Sequence, residues 1–363
     1  MTIDRSAVEA ALAQYRDPYT GNDLVTGGCL RELEIERGQV RARLVLGYAA
    51  GNLVKGIAQM LQIAVESVEG VVGADIQVDW DVVRAPAQGS VPALDRVRNI
   101  VAVASGKGGV GKSTTAVNLA LALSREGAKV GVLDADIYGP SMGLMLGLPE
   151  GTRPQVHEQK WFLPPVAHGV EVMSMAFLVD DNTPMVWRGP MVSGALMQLL
   201  TQTAWSDLDY LIVDMPPGTG DIQLTLAQKV PVTGAVIVTT PQDLALLDAR
   251  KGIEMFRKVH IPVLGVVENM AVHICSNCGH AEHLFGEGGG ERLAEQYGVD
   301  LLASMPLSMM IRQQADGGTP TVIAEPDCQI SMIYQDMARH VGARIAEQAR
   351  RAQSAPSISI SDD

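Results

Sequence analysis

The stretch from residue 103 to residue 120, VASGKGGVGKSTTAVNLA, decides the fold of this chain. It follows a short apolar run and precedes a run with helical spacing, which is the context of a strand–loop–helix unit. Four positions in it fit the pattern G-x-x-x-x-G-K-[ST]: Gly106, Gly111, Lys112 and Ser113. Glycines let backbone N–H groups turn toward one centre, and the positive end of the following helix faces the same point. The stretch therefore predicts a phosphate-binding loop.

Each residue type in this loop has a physical task. Lys112 is expected to neutralise the β- and γ-phosphates of a nucleotide, and the Ser113 hydroxyl is expected to bind Mg²⁺. The backbone around them is expected to surround the phosphates. The predicted nucleotide site consists of Gly106, Lys107, Gly108, Gly109, Val110, Gly111, Lys112, Ser113 and Thr114.

Two other apolar runs end in the carboxylates that such a site requires. LIVDMPPGTGD ends one run with Asp214, the expected position of an acid that orients Mg²⁺ through water. VGVLDADIYGPS ends another run with Asp134 and Asp136. The ligand site of an open α/β sheet lies at the carboxyl ends of its parallel strands. All three acids are therefore expected beside the loop. Asp136 is predicted to assist Mg²⁺ or to position the attacking water, while Asp134 is either a second functional acid or a loop cap.

The order of apolar and helical runs predicts two domains and a linker. Residues 1–83 contain helical runs and alternating runs, with a hairpin around Arg37–Gly38, and predict a small α+β domain. The proline-containing stretch 84–98 is the predicted linker. Short apolar runs then alternate with longer helical runs, which predicts a doubly wound α/β domain with a mainly parallel sheet over 99–350. A disordered tail is predicted over 351–363.

Composition and charge limit the class of protein. The chain has 363 residues, of which 47% are hydrophobic, and its formal net charge is −13. An acidic chain of this kind is a poor candidate for non-specific binding to nucleic acid or anionic lipid. The first residues lack a basic start followed by an apolar core, and no run approaches the roughly 18 apolar residues of a membrane span. We therefore expect a cytoplasmic protein without a nucleic-acid or membrane partner.

The four cysteines are too sparse for a secreted disulfide scaffold, and the pair Cys275 and Cys278 in CSNCGH points to metal or redox chemistry in a reducing compartment. This spacing lets both thiolates bind one metal, but a tetrahedral site needs four ligands. A redox disulfide is one interpretation, although the pair does not begin a helix after a thioredoxin-type strand. Three completions of a metal site are open: zinc with His280 and His283, a contribution from Cys29 or Cys328, or an identical pair from a partner subunit.

The form KGGVGKST, with Lys107 ahead of the usual Lys112, resembles the deviant Walker A ATPases. That class includes MinD, ParA, the nitrogenase iron protein and the Mrp/ApbC iron–sulfur carriers, and in it the early lysine reaches across a homodimer to the nucleotide of the other subunit. The resemblance therefore implies that Lys107 acts in trans and that two chains enclose two ATP molecules. A second cation at the phosphates would stabilise the charge that develops during phosphoryl transfer.

Over about residues 97–345 the order of motifs resembles the Mrp/ApbC family: the deviant loop, DADIYGPS, DMPPGTGD, ENM, C-x-x-C-G and FGEGGG. MinD and ParA proteins lack the cysteine pair. The resemblance implies that Cys275 and Cys278 bridge a labile 4Fe–4S cluster with the same pair of a second subunit, and that Asn269 contacts the adenine base. It further implies slow ATP hydrolysis coupled to cluster carriage, with scaffold proteins and apo iron–sulfur proteins as partners.

Residues 1–83 resemble the small iron–sulfur-assembly domain that is often fused ahead of Mrp ATPases, in YRDPYTGNDLVTGG and VEGVVGADIQVDW. Relatives of that domain often carry a cysteine in a T-x-P-x-C-like segment, where this chain reads LGYAAGNLVKG. A direct cluster contact by this domain is therefore in doubt, and a docking or scaffolding role is open. No role is transferred to Cys29, and Cys328 is expected to be a buried small hydrophobe.

Three function classes are compatible with these motifs. A MinD-like or ParA-like spatial switch needs a basic amphipathic C-terminal helix or a basic face, whereas this chain ends in SISISDD and has a net charge of −13. A nitrogenase-reductase-like electron donor would carry its cluster cysteines far apart in sequence. We therefore expect an ATP-hydrolysing 4Fe–4S cluster carrier. The methionine-rich stretches GPSMGLMLGLP and VEVMSMAFL are expected to be packing or an adaptable client surface.

Overall fold

The chain forms two compact units, one made by residues 1–86 with 342–363 and the other by residues 87–341. The first boundary falls inside the predicted linker 84–98. The second differs from the predicted domain end at residue 350, because the described residues from 342 to 354 belong to the N-terminal unit. The computed structural model describes residues 3–87, 89, 91–137, 139–158, 160–178, 189–275 and 277–354.

The first unit contains a three-stranded sheet. Strand β1 (Leu30–Glu36) pairs antiparallel with β2 (Gln39–Leu46), and β2 pairs in parallel with β3 (Gly73–Trp80). Arg37 and Gly38 form the turn between β1 and β2 with φ values of 49° and 86°, and positive φ at both central residues is what the favoured two-residue turn requires. The hairpin predicted around these two residues is therefore confirmed.

Two helices complete this unit. Helix α1 (Arg5–Leu12) begins after Asp4, whose carboxylate accepts a hydrogen bond from the Ser6 N–H at 3.0 Å as an N-cap. Helix α2 (Val54–Glu66) connects β2 to β3 and buries one apolar face. The core of the unit includes Val8, Leu12, Leu44, Leu46, Ile57, Leu61, Val65 and, from the far end of the chain, Ala343.

The second unit alternates strands and helices along the chain. Short 3-10 turns at Pro92–Leu94 and Met175–Leu178 interrupt the series. The elements are β4 (Val97–Ala104), α3 (Lys112–Arg125), β5 (Val130–Asp134), α4 (Met142–Met145), β6 (Gln155–His157), β7 (Trp161–Leu163), β8 (Val166–Ala167), β9 (Val170–Ser174), α5 (Gly189–Gln202), β10 (Leu208–Asp214), α6 (Asp221–Lys229), β11 (Gly234–Thr239), α7 (Asp243–Lys258), β12 (Val263–Ile274), β13 (Ala281–Glu282), α8 (Gly289–Tyr297), β14 (Leu301–Leu307), α9 (Met309–Asp316), α10 (Thr321–Ala324) and α11 (Gln329–Ser354).

A mainly parallel sheet organises these elements in the order β13-β12-β11-β4-β10-β5-β9-β8, and β14 also pairs with β12. Strands β5 and β11 are buried along their whole length, as expected of strands with helices on both faces. Only the short strands β8 and β13 run antiparallel to their neighbours among the pairs of this sheet that the described residues form. The predicted α/β class, with a small preceding α+β domain, is confirmed.

Helix α11 reaches into the stretch that was predicted to be a disordered tail. It extends through Ser354, so the first residues of the predicted disordered tail 351–363 are helical, and residues 355–363 lie outside the described residues. Its first part belongs to the second unit and its last part to the first unit. Within the described ranges, no helix combines the length and the apolar character that crossing a membrane requires.

A buried ion pair fixes the phosphate-loop helix α3 to α11 within the second unit. The Glu126 carboxylate, at the end of α3, is fully buried and accepts from Arg339 Nε at 2.9 Å and from Nη2 at 2.6 Å. Only 13% of the Arg339 side chain is exposed. Because the two charges lie out of water, each depends on the other for compensation.

Glu126→Ala and Arg339→Ala are each expected to destabilise the chain by about 3–5 kcal/mol, because each leaves a buried charge without its partner. The double variant should lose less than the sum of the two single losses, since the groups are coupled. Urea unfolding followed by far-UV circular dichroism measures the losses. Arg312→Ala is the control, because Arg312 pairs with Asp316 on the surface, and it should cost about 1 kcal/mol or less. Equal losses for Arg312→Ala and Arg339→Ala would contradict the assignment.

Candidate functional site

The loop between β4 and α3 has the shape of a phosphate cradle. Gly109 and Gly111 adopt φ values of 80° and 82°, the left-handed region that favours glycine. A Cβ atom at Gly106 would collide with the backbone of Asp248 on α7, so this end of the loop packs closely against that helix. A Cβ atom at Gly108 or Gly109 would meet nothing within 4 Å. The loop is therefore supported from one side and open on the other, as a phosphate group requires.

Three predicted residues meet at the start of α3. Lys112 Nζ donates to Asp214 Oδ1 at 2.5 Å, and the Ser113 hydroxyl donates to Asp214 Oδ2 at 2.5 Å. Lys112 and Asp214 are both buried. Asp136 Oδ2 lies 3.8 Å from Lys112 Nζ. The structure thus brings Lys112, Ser113, Asp136 and Asp214 into one cluster at the carboxyl ends of β5 and β10.

The carboxylates of this region carry an electrostatic cost. Burial raises the pKa of Asp214, and its contacts with Lys112 and Ser113 work in the opposite direction. Burial, together with the neighbouring charge of Asp214, raises the pKa of Asp134 to about 7. Asp134, Asp136 and Asp214 together place more negative charge here than Lys112 balances. A bound divalent cation would reduce this excess.

Asp134 holds the loop that follows β5. Its carboxylate accepts from the backbone N–H groups of Ser141 at 2.9 Å and Met142 at 3.1 Å. It also accepts from the N–H of Asp136 at 3.2 Å and from the Ser174 hydroxyl at 3.2 Å. Of the two roles left open by the sequence, this geometry supports the loop cap, and it places Asp136 on a loop that Asp134 anchors.

The loop after Asp214 is attached to the phosphate loop. The Gly218 N–H donates to the Ser105 carbonyl at 2.8 Å. Gln223 is buried, and its Nε2 donates to the carbonyls of Pro216 at 3.1 Å and Pro217 at 2.5 Å. Sequence reasoning missed Gln223, because a glutamine in the first turn of a helix gives no pattern of its own.

Lys107 contacts a different element from Lys112. Its Nζ donates to Gln242 Oε1 at 3.3 Å, and its carbonyl accepts from the Ser105 hydroxyl at 2.9 Å. Gln242 is the N-cap residue of α7. The two lysines of the loop are therefore divided between the carboxylate cluster and the start of α7. Gln242 was not predicted, since it lies 135 residues from Lys107.

Asn269 connects β12 to the phosphate loop. Its Nδ2 donates to the Val110 carbonyl at 2.8 Å, and its amide occupies the space that a Cβ atom at Gly111 would need. The preceding residue, Glu268, is buried and accepts from the Gly290 N–H at 2.7 Å, at the start of α8. The ENM and FGEGGG motifs thus meet in the fold. The adenine contact of Asn269 stays a prediction.

Beyond this point β12 continues into the cysteine turn. The strand ends at Ile274, and the chain reverses and returns as β13. The Cys275 N–H donates to the His280 carbonyl at 2.9 Å, and the Gly279 N–H donates to the Cys275 carbonyl at 2.8 Å. Ser276 lies outside the described residues. Cys278 is exposed and Cys275 is half-buried, so solvent reaches both residues of the turn.

Backbone groups of the turn favour the Cys275 thiolate. The N–H groups of Asn277 and Cys278 donate toward its sulfur and lower its pKa, with a further contribution from the Cys278 thiol. Thiolates, not thiols, bind metal ions. The turn therefore favours the form of the Cys275 sulfur that could bind a metal ion.

The in-chain completions of the metal site are not assembled. The described residues contain no group of three or more His, Cys, Asp or Glu side chains placed to hold a metal ion. His283 Nδ1 instead lies 2.9 Å from the Ala271 carbonyl, and His280 Nε2 lies 3.8 Å from Glu282. The turn thus presents two thiols, those of Cys275 and Cys278.

The two remaining cysteines have structural surroundings. Cys29 packs against the core of the first unit, and burial raises its pKa to about 11. Cys328 precedes α11, and its sulfur accepts from the Ser331 N–H at 3.4 Å. Cys328 is half-buried, so the expectation of a buried small hydrophobe is wrong: it is a hydrogen-bonded residue at a helix start.

The sheet, the glycine loop and the cluster of Lys112, Ser113 and Asp214 define a P-loop NTPase. Comparison with known families makes the assignment specific: the chain belongs to the NUBPL iron-transfer P-loop NTPase family, which matches residues 96–342. Residues 5–78 match the iron-sulfur cluster assembly protein family. The resemblance to the iron–sulfur carrier ATPases is therefore confirmed.

Similar proteins agree with this assignment. An iron-sulfur cluster carrier protein from Pseudomonas fragi is 74% identical over 279 residues, which cover 77% of this chain and 97% of that protein. An iron-sulfur cluster carrier protein from Escherichia coli (strain K12) is 49% identical over 341 residues, covering 94% and 92%. A nucleotide-binding protein from Archaeoglobus fulgidus, solved in complex with ADP, superposes with a TM-score of 0.57 at 38% identity, covering 65% of this chain and 91% of that one.

The lowered pKa of Cys275 predicts the order in which the cysteines react. In the metal-free chain, Cys275 should be alkylated by iodoacetamide with a pH midpoint below that of an ordinary cysteine, because the thiolate is the nucleophile. Cys29 should stay unreactive until the pH approaches about 11. Peptide mass spectrometry across a pH series measures both. Cys275 reacting only at or above the ordinary range would contradict the proposed thiolate stabilisation.

Proposed function

We propose that this chain is an ATP-binding and ATP-hydrolysing carrier that holds a 4Fe–4S cluster between two subunits and transfers it to apo-proteins. The observation that carries the proposal is the cysteine turn, which presents Cys275 and Cys278 directly after the strand whose Asn269 contacts the phosphate loop. The names of the relatives from Pseudomonas fragi and Escherichia coli support the same cargo.

The nucleotide site divides its work among the described residues. The backbone of the glycine loop would surround the phosphates of ATP, and Lys112 would leave its contact with Asp214 to neutralise them. Ser113 and Asp214 fit a magnesium site, since both present oxygen atoms at the mouth of the cradle, and Mg²⁺ would supply positive charge at the phosphates. Asp136 would position the attacking water, and Asn269 would contact the adenine base.

Two sets of residues lack part of their proposed site within one chain, and both support a homodimer. Lys107 is bonded to Gln242 at the start of α7, apart from the carboxylate cluster around Lys112. In the dimer it would reach the nucleotide of the partner subunit. Cys275 and Cys278 provide two of the four thiolates that a 4Fe–4S cluster takes from proteins, and the same pair of the partner subunit would provide the rest.

Hydrolysis would act on the cluster by changing the relative populations of two dimer states. The loops at 136–141 and 214–221 would sense the γ-phosphate, because Asp134 anchors the first and the Ser105 carbonyl binds the second. Scaffold proteins would load the cluster and apo iron–sulfur proteins would receive it in the cytoplasm. Hydrolysis is expected to be slow, and no nucleic-acid or membrane partner enters the cycle.

The cysteine pair is tested by anaerobic reconstitution with iron and sulfide. The Cys275→Ala/Cys278→Ala variant should bind less than about a tenth of the wild-type iron and lose the visible absorbance, because its cluster ligands are gone. The Cys29→Ala/Cys328→Ala variant is the matched control and should retain both. ATP binding should be unchanged in all three proteins. Equal iron and equal absorbance in wild type and the Cys275/Cys278 variant would refute the carrier function.

The trans role of Lys107 is tested by mixing two inactive variants. Lys107→Ala should bind ATP as a monomer like wild type, but its hydrolysis rate should fall by roughly 10²–10³-fold, the usual loss for a donor that stabilises transition-state charge. Lys112→Ala should lose ATP binding itself. Mixing the two should restore activity, since one of the two sites in the mixed dimer then has Lys112 in cis and Lys107 in trans. A mixture as inactive as its components would exclude the trans role.

A further inference from the structure

An apolar groove of about 600 Å³ lies beside the cysteine turn in the second unit. It is formed by the end of β12, the end of β14, the start of α9 and the start of α11. None of the described residues that line it is Asp, Glu, Lys or Arg. We call this surface the β12–β14 groove, and its lining is Val272, His273, Ile274, Ser304, Pro306, Leu307, Ser308, Met309, Met310, Cys328, Gln329, Ile330 and Ile333.

One wall of the groove is the strand that carries the cysteines. Val272, His273 and Ile274 are the last residues of β12, and Cys275 follows directly. Ile274 is 53% exposed and Met309, on the opposite side, is 71% exposed. Burying such apolar side chains against a partner stabilises a complex. The groove therefore offers binding energy to a partner at the place where the cargo would be held.

The lining of the groove also includes polar side chains. Ser304, Ser308 and Gln329 lie among its apolar residues. Hydroxyl and amide groups can hydrogen-bond to the backbone of a bound segment. A peptide segment supplies both apolar side chains and backbone N–H and carbonyl groups. The lining thus suits a protein segment better than a purely apolar ligand.

We propose that the β12–β14 groove docks an apolar segment of the acceptor apo-protein during cluster transfer. The inference rests on the proposed carrier function. Transfer exchanges ligands: each iron–thiolate bond to Cys275 or Cys278 that breaks is replaced by a bond from the same iron to an acceptor ligand, either a cysteine thiolate or a water. Each acceptor thiol gives up a proton to solvent, each released cysteine gains one from solvent, and no electron moves. The acceptor must therefore touch the turn, and the residues adjoining Cys275 are those it covers.

The methionines in the groove make it suited to binding several different acceptor proteins. Met309 and Met310 line it, and Met332, beside Ile333 on α11, is 54% exposed. Methionine is unbranched and polarizable, so it adapts to differently shaped partners. In the methionine-rich stretches considered from the sequence, Met142, Met173 and Met175 are fully buried, which agrees with a packing role, while Met145 is half-buried. The exposed methionines Met309 and Met332 lie beside the groove.

The test compares Met309→Glu with two companions after reconstitution with iron and sulfide and addition of ATP. Apo-aconitase is the acceptor, and its recovered activity reports the transfer rate. Met309→Glu should slow transfer by about tenfold or more, because a charge replaces an apolar contact in the docked complex. Met309→Leu should stay within about twofold of wild type. Ile63→Glu, at a comparably exposed apolar position of α2 in the first unit (70%), should match wild type.

Three further readouts decide what the groove serves. Bound iron, ATP affinity and ATP-dependent dimerisation should be the same in wild type and Met309→Glu. A weaker dimer would mean that a second copy of this chain occupies the groove, and weaker ATP binding would mean that the nucleotide does; either result overturns the proposal. Equal transfer by wild type and Met309→Glu overturns the docking site and leaves the carrier function intact. A wild-type cluster that never reaches aconitase overturns both.

Discussion

The buried contact between Lys112 and Asp214 is the interaction on which the rest of this structure depends. It joins the first residue of α3 to the last residue of β10, which lie 102 positions apart in the chain. Burial raises the pKa of Asp214, and the ammonium group of Lys112 opposes that effect, so each charge offsets part of the cost of burying the other. This contact holds together the loops after β4 and β10. The hydrogen bond from the Gly218 N–H to the Ser105 carbonyl joins the same two loops.

Local patterns were enough to predict the framework around this contact. The glycine spacing and the apolar runs identified the cradle, the parallel sheet and the acids Asp136 and Asp214, because these signals are contained in short stretches of sequence. The contacts that complete the site join residues far apart in the chain. Lys107 meets Gln242, and Asn269 meets Val110, through side chains whose identity carries no pattern of its own. Such pairings follow from the fold and not from the motif.

The end of the second domain is another feature that local sequence patterns do not predict. Helical periodicity runs without a break through α11, so the sequence offered no reason to end the second domain before residue 350. The division at residue 342 arises because Ala343 packs into the core of the first unit and Ala346 packs against it. Asn22 also donates to Glu347 at 3.2 Å. A continuous helix can belong to two cores, and only the partners of its side chains decide where one core ends.

Strand β12 gives the nucleotide site a direct physical route to the cysteine turn. Asn269 holds the Val110 carbonyl in the phosphate loop, and Cys275, which directly follows the end of the same strand, lies six residues further along the chain. A ligand changes the turn only to the extent that it binds two arrangements of this strand with different affinity. Nucleotide contacts that alter the bond between Asn269 and Val110 would satisfy that condition. The positive φ of Met270, 57°, marks the point where the strand departs from regular pairing between these two ends.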